Sequence, residues 1–385
     1  MAVSGGADSV LALRQTVAWA REHDRTVIAL CVDHGLQEAS AAWAAFAARA
    51  AEDLGAGACI LQWQGPHPAR GIPAAARAAR HRLLAEAARE AGARVIVTGH
   101  TASDALENQA LGQGLLSEWS PSPVWPEGRG LFLLRPLLDM SRGAVRARLA
   151  QTGGEWIDDP ANENPLHARV RARRALVGSD LTVEDREDPE IATLARQAVF
   201  DLDHIALPRP AFAAAGPGAQ RKVLGCAVVA AGGRQAIPPT TSLDRLCAAL
   251  DKTGPVSASL AGARIAAGET IAIWRNAGEQ ARGGLAPLRL AGGQTGVWDG
   301  RYELTADRDI EVLAVKGLAS RLSAADRRAL ARWPAAVRPG LPVLAPPNGT
   351  TSSPILASLD AAPARWLVPE RFAAACGLIA QEGQL

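Results

Sequence analysis

Ser4-Gly5-Gly6-Ala7-Asp8-Ser9 follows a short apolar stretch, Ala2-Val3, and precedes a helical pattern with Val10, Leu11, Leu13 and Val17 on one side. A strand that turns through two glycines into a helix start aims backbone N–H groups at whatever lies in front of it. Those groups and the helix dipole favour an anion there. Gly5 and Gly6 carry no Cβ, so the backbone can approach a ligand closely. Ser9 adds a hydroxyl donor, and Asp8 could cap the helix or hold a metal ion. The common phosphate loop ends in Gly-Lys-Ser/Thr and brings its own cation. Here a carboxylate stands in that region, so the charge of a polyphosphate must be met by N–H groups, arginine and Mg²⁺.

Outward from the loop, the first half of the chain alternates strand and helix patterns. Thr26–Val32 is a β-branched apolar run ending at Asp33-His34-Gly35, Ala41–Leu54 is helical, and Ala58–Trp63 is a short strand. Pro73–Ala91 is an Ala/Arg/Leu helix, Arg94–Thr98 a strand ending at Gly99-His100, and Ser103 a cap for a helix running to Leu111. This alternation predicts an α/β fold, a parallel sheet with helices on both faces, whose ligands gather at the carboxyl ends of strands. The chain enters the loop after only three residues, so the first strand is unusually short, which leaves open either a longer native start or a destabilised edge. Gly112–Arg129 breaks the rhythm as a surface loop, and Leu131–Leu134, Arg142–Gln151 and Arg169–Arg174 complete a domain over 1–178. The acidic stretch Asp180–Pro189 opens a helical region over 179–254. From 255 to 385 the pattern is β-rich, with strands expected at Ser257–Ile265, Thr270–Trp274, Leu285–Leu290 and Gly296–Thr305.

With 385 residues, 48% hydrophobic and 21% charged, the chain is long enough for two or three cores. No apolar run reaches membrane-spanning length, and no basic segment precedes an apolar one at the amino terminus. Five cysteines, scattered and never spaced as CxxC, read as thiols of a reducing cytosol and give no zinc or iron–sulfur signal. A cytoplasmic protein is expected. Net charge is only +2, so a nucleic acid would be held by local patches. Lysine occurs only at 222, 252 and 316, so the basic groups of the first half are arginines.

Asp104 and Glu107 stand three apart on a predicted helix and share a face. Such a pair can hold Mg²⁺ or act as a general base, and it can equally be a solvated acidic face. Asp33 ends its own strand, where a turn residue and a catalytic carboxylate are both plausible. Together with Asp104 and Glu107 it would face the glycine loop. Arg77 or Arg80 could lie over a nucleotide and stabilise charge on its reacting phosphate. Arg169, Arg171, Arg173 and Arg174 form the densest basic spot. A helix would spread them, a strand would align three, and either a phosphate backbone or an interdomain salt bridge could use them.

The loop resembles the pyrophosphate loop (SGGxDS) of the ATP pyrophosphatases, whose fold is adenine-nucleotide alpha-hydrolase-like. The order of motifs resembles one family within it, the tRNA(Ile)-lysidine synthetases. These motifs are the loop, Val32-Asp33-His34-Gly35-Leu36 with Ser40, Ala76-Arg77 with Arg80-His81, and His100 with Asp104 and Glu107. Arg135-Pro136-Leu137-Leu138, Asp159-Pro160-Ala161-Asn162 and the arginine segment follow, then Ser259–Ile265 and Trp298-Asp299-Gly300-Arg301. The chain departs from that pattern at Ser103, Ala105 and Asn108, which replace Asp, Gln and Thr, and at Gln37 and Val170.

The resemblance implies an ATP-dependent ligase joining free L-lysine to the wobble cytidine of tRNA(Ile) with a CAU anticodon, through an adenylated cytidine, with AMP and pyrophosphate as products. It implies that Ser4, Gly5, Gly6, Ala7, Asp8 and Ser9 bind ATP, with Asp8 and Asp104 as Mg²⁺ ligands. Asp33, Asp104 and Glu107 would serve catalysis and lysine, Arg80 the reacting phosphate, and His34 and His100 would lie near the nucleotide. Arg169, Arg171, Arg173 and Arg174 would hold the tRNA, aided by the tail. A homodimer stays open. The rival expectations are another pyrophosphate-loop tRNA-modifying enzyme, such as a thiolase, and a catalytically impaired tRNA-binding relative.

Overall fold

A computed structural model describes residues 1–65, 67–68, 70–111, 118–122, 124, 128–159, 168–176, 189–234, 237–282, 284–347, 351–356 and 364–378. Pro160-Ala161-Asn162, much of the 112–129 loop and nearly all of the acidic 180–189 stretch lie outside the described residues. The chain divides into two compact units, Met1–Arg186 and Glu187–Ala380.

The first unit follows the alternation in the sequence. Its elements are α1 (Ala7–Glu22), β1 (Ile28–Asp33), α2 (Ser40–Glu52), β2 (Gly57–Gln62), α3 (Ile72–Glu90), β3 (Val95–Val97), α4 (Ala102–Ala110), β4 (Trp119–Pro121), β5 (Phe132–Leu134), α5 (Arg142–Gln151) and α6 (Ala168–Leu176). β1 pairs with β2 in parallel, β3 pairs with β5 in parallel, and β4 lies antiparallel on β5. Met1–Val3 joins the two sets. Ala2 bridges Leu30 in parallel and donates its amide to Val97 O at 2.9 Å, while Val3 donates to Leu30 O at 3.0 Å. The short first strand is therefore interior rather than an edge, and the glycine loop leaves the middle of the sheet.

Alternation of side chains along the strands separates two cores. Ala29 and Cys31 of β1 face Val10, Leu11, Leu13 and Val17 of α1, with Ala44 and Ala47 of α2 and Val145 and Leu149 of α5. Leu30 faces the opposite way, toward Leu84, Ala85 and Ala88 of α3, Ile96 and Leu133. Helices thus cover both faces. Burying each Leu or Val side chain contributes about 1.5–3 kcal/mol, so the apolar side of α1 anchors the loop to the sheet.

Two local expectations change. The cap of α4 is Thr101, whose amide and hydroxyl donate to Asp104 Oδ2 at 2.9 and 2.8 Å; Ser103 instead accepts from the Arg142 amide at 3.2 Å. Asp104 three residues into the helix favours Thr101, because its carboxylate reaches back to that backbone. The arginine stretch, compatible in sequence with helix or strand, is helix α6.

The second unit holds α7 (Pro189–Ala195), β6 (Val199–Asp201), β7 (His204–Pro208), α8 (Arg209–Ala214), α9 (Pro217–Ala231), α10 (Thr240–Leu250), β8 (Val256–Leu260), β9 (Ala263–Ala267) and β10 (Thr270–Arg275). Their strands form one antiparallel sheet in the order β6-β7-β10-β9-β8. The run Ser257–Ile265 is a hairpin because Ala261 and Gly262 both take positive φ. Gly296–Thr305 likewise folds into Thr295–Trp298 and Tyr302–Thr305 around Asp299-Gly300. Val223, Leu224 and Ala227 of α9 share one core with Ile205, Ile265 and Ile273, so the seam between 254 and 255 runs within a single core. Inside it, Asp299 accepts from Arg275 Nε at 2.6 Å and Arg301 Nε at 2.9 Å, and Arg301 also donates to Asp203 at 2.6 Å.

Candidate active site

The loop adopts the geometry its residues require. Gly5 takes φ +83°, and a Cβ there would lie 2.8 Å from Ile157 Cδ1. Ile157 also donates its amide to Gly5 O at 2.9 Å, so a distant segment shapes the turn. Ser9 Oγ donates to Gly6 O at 2.8 Å and accepts from the Ser4 amide at 3.2 Å, which closes the loop on itself. Gly99 follows β3 and lies against the start of α1, where a Cβ would be 2.6 Å from Asp8 O and 2.8 Å from Ser9 N. That close approach brings the start of α1 to the carboxyl end of β3, from which α4 departs.

Three carboxylates meet one guanidinium there. Arg142, the first residue of α5, donates to Asp8 Oδ2 at 3.3 Å, Asp104 Oδ1 at 3.1 Å and Glu107 Oε1 at 3.1 Å. Arg173 of α6 donates to the same Glu107 oxygen at 2.7 Å. Glu107 is 1% exposed, and its Oε2 and Asp8 Oδ1 are buried with no hydrogen-bond partner among the described residues. Burial raises the Asp8 carboxyl above its usual pKa, with Arg142 opposing and Asp104 adding. For Asp104, burial acts against the charge, but Arg142 and the Thr101 hydrogen bond outweigh it and hold the carboxyl below its usual value. Burial likewise acts against the charge on Arg142, and Asp104, Glu107 and Asp8 more than reverse it.

Asp33 is not joined to this group by any hydrogen bond or ion pair among the described residues. Its Oδ1 accepts from the Gly35 amide at 2.9 Å and from Ser40 Oγ, which shapes the turn after β1. The convergent trio is thus Asp8, Asp104 and Glu107, with Asp33 at the neighbouring strand end. His34 stands edge-on to Trp63, with ring centroids 6.3 Å apart. Burial and then Arg80 lower the His34 pKa, with Asp33 opposing.

A second cluster is positive. Arg77 and Arg80 of α3 have no hydrogen bond or ion pair among the described residues, and Arg80 feels Arg77 and Arg169 as like charges after burial. Burial and Arg77 lower Arg135 to about 10. Burial pushes His100 down to about 3, with Asp104 opposing and Arg135, Arg80 and Arg77 reinforcing. Both imidazole and guanidinium groups therefore favour an incoming polyanion over further positive charge. In α6, Arg169 donates to Asn108 Oδ1 at 2.8 Å and Arg173 to Glu107, so two of the four arginines face α4. A helix spreads the four over different sides, as its period demands.

Arg142 and Ile157 carry no signal in the sequence as site residues. Arg142 follows Ser141, whose Oγ caps α5 by accepting from Ala144 N at 3.2 Å. A Ser-Arg pair at a helix start signals only the cap, and the three carboxylates that Arg142 meets lie far away in sequence.

A glycine loop at a central strand end, closed on itself beside buried carboxylates, defines a PP-loop nucleotide-binding unit. The family model of the PP-loop domain matches residues 1–179. The chain is 46% identical to the tRNA(Ile)-lysidine synthase of Caulobacter vibrioides, over 98% of this chain and 93% of that one. It is 36% identical to the tRNA(Ile)-lysidine synthase of Hyphomonas neptunium, over 70% and 79% of the two chains. For that of Brucella ovis the identity is 35%, over 78% and 72%. The chain belongs to the tRNA(Ile)-lysidine synthase family, ATP-dependent ligases that form lysidine.

Proposed function

We propose that this enzyme joins free L-lysine to C2 of the wobble cytidine of tRNA(Ile) with a CAU anticodon, in the cytoplasm. The observation that carries this reading is Glu107: one oxygen is held by Arg142 and Arg173, and the other is buried, unpartnered among the described residues and beside the loop. A primary ammonium is the natural ligand for such an oxygen. A protonated amine is no nucleophile, so the same carboxylate that attracts lysine must accept its proton. In the first step the cytidine 2-oxo oxygen bonds to the α-phosphorus of ATP and pyrophosphate leaves. In the second, the lysine ε-nitrogen bonds to C2, the C2–O bond breaks, and AMP departs with that oxygen.

The loop amides at Ser4–Ser9 hold the phosphates, and Arg80, with no partner among the described residues, stabilises charge on the α-phosphate. Mg²⁺ fits at Asp8, whose Oδ1 is unpartnered there, since this ion prefers one or two carboxylates with substrate phosphates. Asp104 fits it less well, because Thr101 and Arg142 engage both its oxygens. When bound, Mg²⁺ would neutralise developing phosphate charge. Arg171 and Arg174, with the second unit, carry the tRNA. The test is incubation with ATP, labelled lysine and a tRNA(Ile) transcript bearing a CAU anticodon. Lysine-dependent AMP release with label in the tRNA is expected; ATP and tRNA binding without transfer overturns the reading in favour of an inactive relative.

A further inference from the structure

We propose that Arg142 is the positioning residue of the amine site: it gathers Asp8, Asp104 and Glu107 around one guanidinium so that Glu107 Oε2 is the carboxylate oxygen left on α4 for the incoming ammonium. This rests on the lysine-ligation reading above. Three carboxylates from α1 and α4 converge at 3.1–3.3 Å on a single fork. Without that fork they would repel one another and rotate apart, because like charges this close disfavour joint ionisation. Arg173 is no substitute, since it approaches from α6 and donates to Glu107 Oε1, an oxygen Arg142 already holds. Arg146, one turn along α5, adds field at Asp8 and pairs with Asp158.

The fork also assigns work oxygen by oxygen. Asp104 Oδ2 is spent on Thr101 and its Oδ1 on Arg142; Glu107 Oε1 takes two guanidiniums. Asp8 keeps Oδ1, buried and unpartnered among the described residues, for the metal site proposed above. One buried carboxylate acceptor thus remains on α4, and it suits a single N–H donor of a primary ammonium rather than the two-pronged face of a guanidinium. Arg142 therefore acts on lysine through Glu107 and never touches the reacting atoms.

The experiment measures half-saturating lysine and half-saturating ATP in the complete reaction for R142Q and R142K. Removing one partner of a buried hydrogen-bonded charge pair is costly, so R142Q should raise half-saturating lysine about tenfold or more, and ATP by a clearly smaller factor. R142K keeps the charge but lacks a three-way fork, so it should fall between wild type and R142Q. Equal rises for lysine and ATP, or half-saturating lysine unchanged in R142K, would overturn the proposal. If R142Q does not fold, R142K alone decides by the same criterion. Failure of the ligation reading itself is distinct: the unsubstituted protein would then incorporate no lysine.

Discussion

The amide of Ile157 donates to the carbonyl of Gly5 at 2.9 Å, and the Ile157 side chain lies where a Gly5 Cβ would fall. The nucleotide loop is thus shaped from outside by a segment that follows α5. A residue remote in sequence thus holds the turn from behind, and where the loop amides hold the phosphates as proposed, ATP affinity depends on this distant packing.

Gly99→Ala tests the closest backbone approach around the loop. The added methyl would meet Asp8 O at 2.6 Å, so α1 must shift away from β3. Overpacking of this kind costs about 1–3 kcal/mol. Half-saturating ATP should rise and the thermal midpoint fall, while Gly268→Ala, with open space around it and no positive φ, should leave half-saturating ATP unchanged.

Glu107→Gln removes the proposed acceptor of the lysine proton but keeps the shape of the side chain. Loss of a general base typically slows the step about 10²–10⁴-fold. Transfer of labelled lysine to tRNA should fall by that order. Stability should fall too, since Arg142 and Arg173 lose a buried counter-charge. Calorimetry beside the transfer assay separates the two effects.

The four arginines of α6 should not behave alike. Arg173 meets Glu107, so Arg173→Gln should weaken lysine transfer more than tRNA binding. Replacing Arg171 and Arg174 together should weaken tRNA binding and flatten its dependence on salt, because each phosphate left unneutralised reduces the logarithmic slope by about 0.7–0.9. Filter binding between low and high salt reads this directly, and an unchanged slope removes the tRNA role.

Acid should unfold the first unit through its imidazoles. Burial and neighbouring arginines hold His81 and His100 to about 3, against an ordinary 6.5. The unfolded chain takes up these protons below about pH 6.5 and the folded chain does not, so stability is full above that value and falls as pH drops toward 3. Denaturation midpoints across pH 4 to 8 should show this decline, and it should be shallower in the doubly substituted His81→Gln, His100→Gln protein, roughly by one proton's share per residue.

In the second unit, Asp299→Asn keeps a residue that tolerates its φ of +51° but strips the charge shared by Arg275 and Arg301. Breaking a buried pair in this way costs about 3–5 kcal/mol. A lowered thermal midpoint for that unit is the expected reading.

Much of the α/β unit is legible from the chain. Strand and helix periods differ, so β1, α3 and α5 are bounded to within a residue or two, and Gly5 and Gly6 mark the anion turn. The strand around Ser257 reads as continuous because Ala261 is an ordinary helix former, and only its positive φ in the fold reveals the hairpin. Ser103 matches the same capping preference as Thr101, and the choice between them depends on where Asp104 can reach back.

What the amino-acid order determined by itself is whatever depends on near neighbours: the glycine turn, the alternation that sends Ala29 and Leu30 to opposite cores, the Asp104–Glu107 face, and the succession of motifs that marks the family. Tertiary structure alone decided which charges meet. Arg142 gathers carboxylates from two other helices, Asp33 stays with its own turn, and Ile157 holds Gly5. Ion pairs and packing contacts act over a few ångströms of space regardless of separation along the chain, so no local pattern records them.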